Sequence, residues 1–168
     1  MLTMLILLAA QAASPSCPEQ PAKEQLVLGY DSFDTNGGPA AWRNLLARGC
    51  TDDAVATLIA YRDGNQAHMT REQLGEINFH MGQALTMSGR DADSIPHFER
   101  SATFGGSPEW VAYIAAHLAF VRKDKTALAK ALSDYEKLVK PGSMRLAVIR
   151  GFARCIGKPY MEAAHCAM

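Results

Sequence analysis

The amino-acid sequence predicts an all-α fold made of antiparallel helix pairs. Apolar residues recur at gaps of three and four along most of the chain, the spacing of one helix face. Gly, Pro, Asn and Asp clusters interrupt these patterns at short intervals, as turns between neighbouring helices do. No stretch alternates apolar and polar residues as a half-buried strand would. The chain has 168 residues, 48% hydrophobic and 20% charged. That is the composition of one globular domain with a sizeable core.

The elements follow in order. Residues 13–38 read as an irregular leader, rich in Pro, Ser and Glu at its start. Within it Gln25 to Ser32 fits either a strand or a helical turn. Asp34-Thr35-Asn36-Gly37-Gly38 is a break, and Pro39 opens a short helix to Arg48 with Trp42, Leu45 and Leu46 on one side. Gly49 stops it. Thr51 is expected to cap the next helix, with Asp52 and Asp53 in its first turn and Asp63-Gly64-Asn65 at its end.

Thr70 and Gln73 have the spacing of a capping box, followed by Leu74, Ile77, Met81 and Leu85 on one face and Gly89 as the stop. Ile95, Phe98 and Ala102 mark the partner helix. Pro96 is tolerated in a first turn, which places the expected N-cap at Asp93. After Gly105-Gly106-Ser107-Pro108 a helix carries Val111, Ile114, Leu118 and Val121, and Arg122 to Lys125 forms the turn. Ala127, Leu128, Ala131, Leu132, Tyr135 and Leu138 make the next helix, closed by Pro141-Gly142. Met144, Val148, Phe152 and Cys155 share the face of another, and a short helix after Pro159 ends near Cys166.

Helix pairs repeating at about 34 residues resemble the tetratricopeptide family. The resemblance is strongest in residues 73–105. Met81-Gly82, Ala84-Leu85 and Gly89 fit the first helix and turn, and Ser94, Phe98 and Ser101 fit the small–aromatic–small pattern of the second. Small residues let two helices approach, and the aromatic fills the gap between them. Ile114-Ala115, Ala127, Ala131 and Asp134 form a more degenerate following unit, and Ala54, Leu58 and Tyr61 a truncated preceding one. The resemblance implies that residues 39–168 form a single domain, a short right-handed solenoid whose groove holds a protein or peptide. Asn78 and Arg122 are the polar residues expected as groove contacts.

Residues 1–12, MLTMLILLAAQA, have the apolar core and A-x-A ending of a signal peptide, without its basic start. The run is too short for a stable membrane anchor. Four cysteines suit export to an oxidising space, periplasmic or secreted. Cys155 and Cys166 flank a segment able to reverse direction, leaving Cys17 to pair with Cys50. Lys plus Arg equal Asp plus Glu at 17 each, which argues against nucleic acid as a partner.

No catalytic residue, cofactor site or metal site is expected. The HExxH, CxxC, GxSxG and GxxxxGK[ST] patterns are absent from the sequence. The leading expectation is a protein-interaction module. Its alternative is a small extracytoplasmic enzyme or inhibitor domain using residues 157–166, where Lys158, Tyr160, Glu162 and His165 crowd a constrained loop.

Overall fold

The computed structural model describes residues 17–18 and 20–166. The signal-peptide segment 1–12 lies outside the described residues. Among them the regular structure is entirely helical: α1 Lys23–Leu26, α2 Tyr30–Thr35, α3 Trp42–Ala47, α4 Thr51–Asn65, α5 Arg71–Met87, α6 Asp91–Thr103, α7 Pro108–Val121, α8 Lys125–Glu136, α9 Met144–Arg154 and α10 Tyr160–His165. A 3₁₀ turn, Gln66–His68, extends α4. From α3 onward the helices pack as successive hairpins, α3 with α4, α5 with α6, α7 with α8 and α9 with α10. Each hairpin also touches the next through α4–α5, α6–α7 and α8–α9. No helix among the described residues is long and apolar enough to cross a membrane.

The segment expected to be an irregular leader is helical in part. Phe33 of α2 is fully buried and stacks on Tyr61 of α4 at a ring separation of 3.7 Å. The Tyr61 hydroxyl donates to the Leu28 carbonyl at 2.8 Å, and Asn65 Nδ2 donates to the Leu26 carbonyl at 3.1 Å. The mixed pattern at residues 25–32 resolves as the end of α1 and the start of α2 with a break at 27–29 between them, and Leu26 and Phe33 pack into the apolar cluster of α4. Cys17 and Cys50 form a disulfide that ties this segment to the α3–α4 turn. Cys155 and Cys166 form the second, joining the ends of α9 and α10. Both expected pairings are present.

The helix ends explain the boundaries. Thr70 Oγ1 accepts from Gln73 N–H while Gln73 Oε1 accepts from Thr70 N–H, the expected capping box. Ser107 and Asp124 cap α7 and α8 through side-chain oxygens. Two starts move. Cys50, not Thr51, is the N-cap of α4, and Thr51 Oγ1 instead meets Ser88 Oγ at 2.5 Å. Helix α6 begins at Asp91 behind Arg90, not behind Asp93, so Pro96 lies inside it. Pro96 withholds the N–H that would reach the Ala92 carbonyl, and Ala92 is solvent-exposed, so the loss is small. Helix α4 also runs through Gly64 to Asn65.

Two apolar clusters form the core, and α5 is the wall between them. Ile77 and Met81 face the N-terminal cluster with Trp42, Leu45, Leu58 and Tyr61. Phe79 of the same helix joins the C-terminal cluster with Phe98, Tyr113, Phe120 and Phe152. Gly82 sits where a Cβ would fall 2.9 Å from the Phe98 ring, so the aromatic of α6 lies directly on the α5 backbone. One side of the same contact is closed by Ser101 Oγ, which donates to the Gly75 carbonyl at 2.7 Å. Gly151 is tighter still. A Cβ there would lie 2.2 Å from the Ala163 carbonyl oxygen, so α10 rests on the α9 backbone.

Candidate functional site

The first helices of the four hairpins all contribute to a polar pocket of about 260 Å³. Helix α5 supplies Glu76, Phe79, His80 and Gln83, a stripe at helical spacing adjacent to its core face. Trp110 and Tyr113 come from α7, Arg145 from the start of α9, Arg43 from α3 and Asp34 from α2. Residues up to 111 positions apart in sequence (145 minus 34) are therefore brought together by the stacking of hairpins.

Two of its charges are spent on each other. Arg43 Nη2 donates to both Asp34 carboxylate oxygens at 2.8 and 2.9 Å, and its Nε donates to the Asp34 carbonyl at 2.8 Å. The Arg43 guanidinium also lies 4.1 Å over the Trp42 ring. His80 Nε2 is 3.2 Å from Asp34 Oδ1. Burial holds the imidazole well below its ordinary pKa, with Asp34 opposing the shift, so His80 is neutral at pH 7. The proton belongs on Nε2 beside the carboxylate, and Nδ1 is then a buried lone pair without a partner.

Of the remaining charges, Glu76 is unpaired among the described residues and Arg145 makes only a long ion pair, with Glu109. Burial pushes the Glu76 carboxyl upward, partly offset by Tyr30 beside it, and Glu76 forms no ion pair among the described residues. Burial together with Glu76 and Asp34 in turn pushes the Tyr30 hydroxyl up. Arg145 lies over Trp110 and Tyr113 at 5.4 and 5.2 Å from the ring centroids, and its nearest carboxylate, Glu109, is 3.8 Å away. A carboxylate, a guanidinium and an aromatic floor thus remain for an incoming polar group.

Behind the pocket a hydrogen-bonded chain fixes the last hairpin. His117, wholly buried, has Nδ1 2.9 Å from the Tyr113 carbonyl and Nε2 3.0 Å from the Tyr160 hydroxyl. A carbonyl can only accept, so Nδ1 carries the proton and Nε2 accepts from Tyr160. Tyr160 Oη in turn accepts from Gln83 Nε2 at 3.1 Å. Every donor direction in the chain is therefore determined. Burial drives His117 down to about 4, which keeps the imidazole neutral.

The expected groove contacts do not meet. Asn78 is buried, donating to the Leu74 carbonyl at 2.7 Å, and it lines a separate groove with Arg62, His97 and Arg100. Arg122 stands at the α7–α8 turn in an exposed ion pair with Glu99. The C-terminal segment also divides. Tyr160 points inward to His117, whereas Glu162 and His165 are exposed. Cys155 and Cys166 are bonded to each other and supply no thiolate to a metal. The legible signals for the pocket were the second stripe Glu76–Phe79–His80–Gln83 and the Trp110–Tyr113–His117 spacing; nothing in the sequence placed Asp34 or Arg145 beside them.

Comparison with protein-family models, with curated proteins and with solved structures finds no match to this chain.

Proposed function

We propose that the chain is a protein-binding module of an oxidising, extracytoplasmic compartment, and that its pocket receives a polar side chain or chain end of the partner. The hairpins are read as a short tetratricopeptide-like right-handed solenoid, with the first helices on its inner face. The carrying observation is that Glu76, without an ion pair, and Arg145, over Trp110 and Tyr113 with only a long ion pair to Glu109, line one pocket although they come from three successive hairpins. Two disulfides and the apolar start of the sequence support export as a periplasmic or secreted protein. Binding is favoured over catalysis because Asp34 is committed to Arg43, and Tyr160 to His117. The pocket's small volume suits one or two side chains, not a long peptide.

Affinity capture on the immobilised oxidised chain tests this reading. Arg145→Glu and Glu76→Lys are each expected to reduce recovery of the specific partner by about tenfold, the scale of one charge-assisted contact. Lys130→Glu, at an exposed ion pair of α8, is expected to leave recovery unchanged. Recovery indifferent to both pocket variants would sink the assignment.

A further inference from the structure

The large apolar side chains left exposed include three methionines, and all three converge. Met87 ends α5, Met144 begins α9 and Met161 lies in the first turn of α10, with exposures of 36%, 83% and 43%. They line one groove of about 420 Å³ together with His165, Gln83 and Tyr160. Gln83 stands one helical turn before Met87, and its hydrogen bond to Tyr160 holds α5 against the start of α10 where Met161 lies.

His165 is presented as a ligand would be. Its Nδ1 lies 2.7 Å from the Met161 carbonyl. Only a ring N–H can bond a carbonyl, so the proton is on Nδ1 and the Nε2 lone pair is free. Back-bonding of this kind fixes tautomer and ring orientation in metal-binding histidines. Met161 and His165 are four residues apart on α10 and so share a face.

The chemistry of the donors selects the ion. Thioether sulfur is soft and imidazole borderline, a set that favours Cu(I) over Mg²⁺, Ca²⁺ or Zn²⁺. All four cysteines are consumed in disulfides, so thioethers are the soft donors left in an oxidising compartment. Each methionine has three rotatable bonds, and all three side chains border the same groove of about 420 Å³. We propose that Met87, Met144, Met161 and His165 form a binding site for a soft monovalent cation, Cu(I), in a groove that adjoins the pocket of Glu76 and Arg145 at Gln83 and Tyr113 but uses none of its charged residues.

The test is anaerobic titration of the full oxidised chain with Cu(I) against a chromophoric chelator. A parallel titration with Ag(I), a redox-inert probe, is followed through the methionine ε-methyl NMR signals. One equivalent is expected to bind, shifting the signals of Met87, Met144 and Met161 and leaving buried Met81 in place. The triple variant Met87→Leu/Met144→Leu/Met161→Leu conserves volume and is expected to fold while binding about 100-fold more weakly. His165→Gln should weaken binding by about tenfold. Met144→Leu alone, at the most exposed of the three positions, has little packing to lose and gives a reading even if the triple variant fails to fold; unchanged affinity there overturns the site. Retained binding in a folded triple variant, which keeps Met1, Met4, Met69, Met81 and Met168, also overturns it. So does Zn²⁺ competing on equal terms, or a groove that takes up apolar peptide and no Cu(I).

Discussion

At the scale of single residues, buried histidines make the protein sensitive to acid. His117 is wholly buried, hydrogen-bonded at both ring nitrogens and held near a pKa of about 4. In the unfolded chain it titrates near 6.5. Between these values the unfolded state binds more protons than the folded one, so stability is full above about pH 6.5 and is lost as pH falls toward 4. The loss from His117 is on the order of 3 kcal/mol at the lower end of the window. His80, also lowered by burial, acts in the same direction. Urea denaturation at pH 7, 5.5 and 4.5 is expected to show this decline. His117→Gln, which stays neutral while keeping a donor and an acceptor, should be less stable at pH 7 and should flatten it. A slope identical in wild type and variant would refute the role given to His117.

At the scale of elements, three first helices end in the same way. After α3, α5 and α7 the chain takes a left-handed residue, Gly49, Gly89 or Lys123. Its N–H and that of the next residue bond back into the last turn: Gly89 N–H to Thr86 and Arg90 N–H to Leu85, with Lys123 to Phe120 and Asp124 to Ala119 in the same pattern. The repeated cap is a structural echo of the hairpin period that the sequence spells with two glycines and a lysine. Lys123 bears the conformational cost at φ 57° and is compensated by its ion pair with Asp91 and its position over Phe120. Lys123→Ala keeps the strain and drops the compensation, whereas Lys123→Gly drops both. The glycine variant should therefore be the more stable of the two by about 1 kcal/mol in urea midpoints. Gly89→Ala should cost about 1–2 kcal/mol, since nothing lies near enough for a new methyl to pack against. Equal midpoints for the two Lys123 variants would remove this explanation.

At the scale of the molecule, α5 divides two cores and a disulfide secures each end. Cys17–Cys50 closes a span of 33 residues over the N-terminal cluster, and Cys155–Cys166 a span of 11 over α10. In the chain-entropy account these constraints stabilise by about 4 and about 3 kcal/mol respectively. The paired serine variants, Cys17→Ser/Cys50→Ser and Cys155→Ser/Cys166→Ser, are expected to lose stability in that order. Alkylation of the purified protein without reductant should leave its intact mass unchanged. Four added labels would contradict both bridges and weaken the case for an oxidising compartment.

Helical class, the capping box at Thr70, the breaks at Gly89 and Gly105 and the pairing of the cysteines were all legible in the sequence. Each rests on local periodicity, on one backbone angle or on chain reach, quantities that neighbouring residues set among themselves. The helices α1 and α2 were not legible, because a few apolar residues in 25–35 acquire meaning only against the surface of α4. Nor was the role of Tyr160, grouped in the sequence with Lys158, Glu162 and His165 around a constrained loop, whose hydroxyl bonds α10 to His117 and Gln83. The sequence by itself determined that this chain folds into paired helices held by two disulfides. Only the tertiary structure decided which polar residues face one another. Asp34, Glu76 and Arg145 line one pocket because successive hairpins pack on one another, and three methionines line one groove because α10 folds back onto α5. Those juxtapositions depend on the angles between packed helices, which no local spacing encodes.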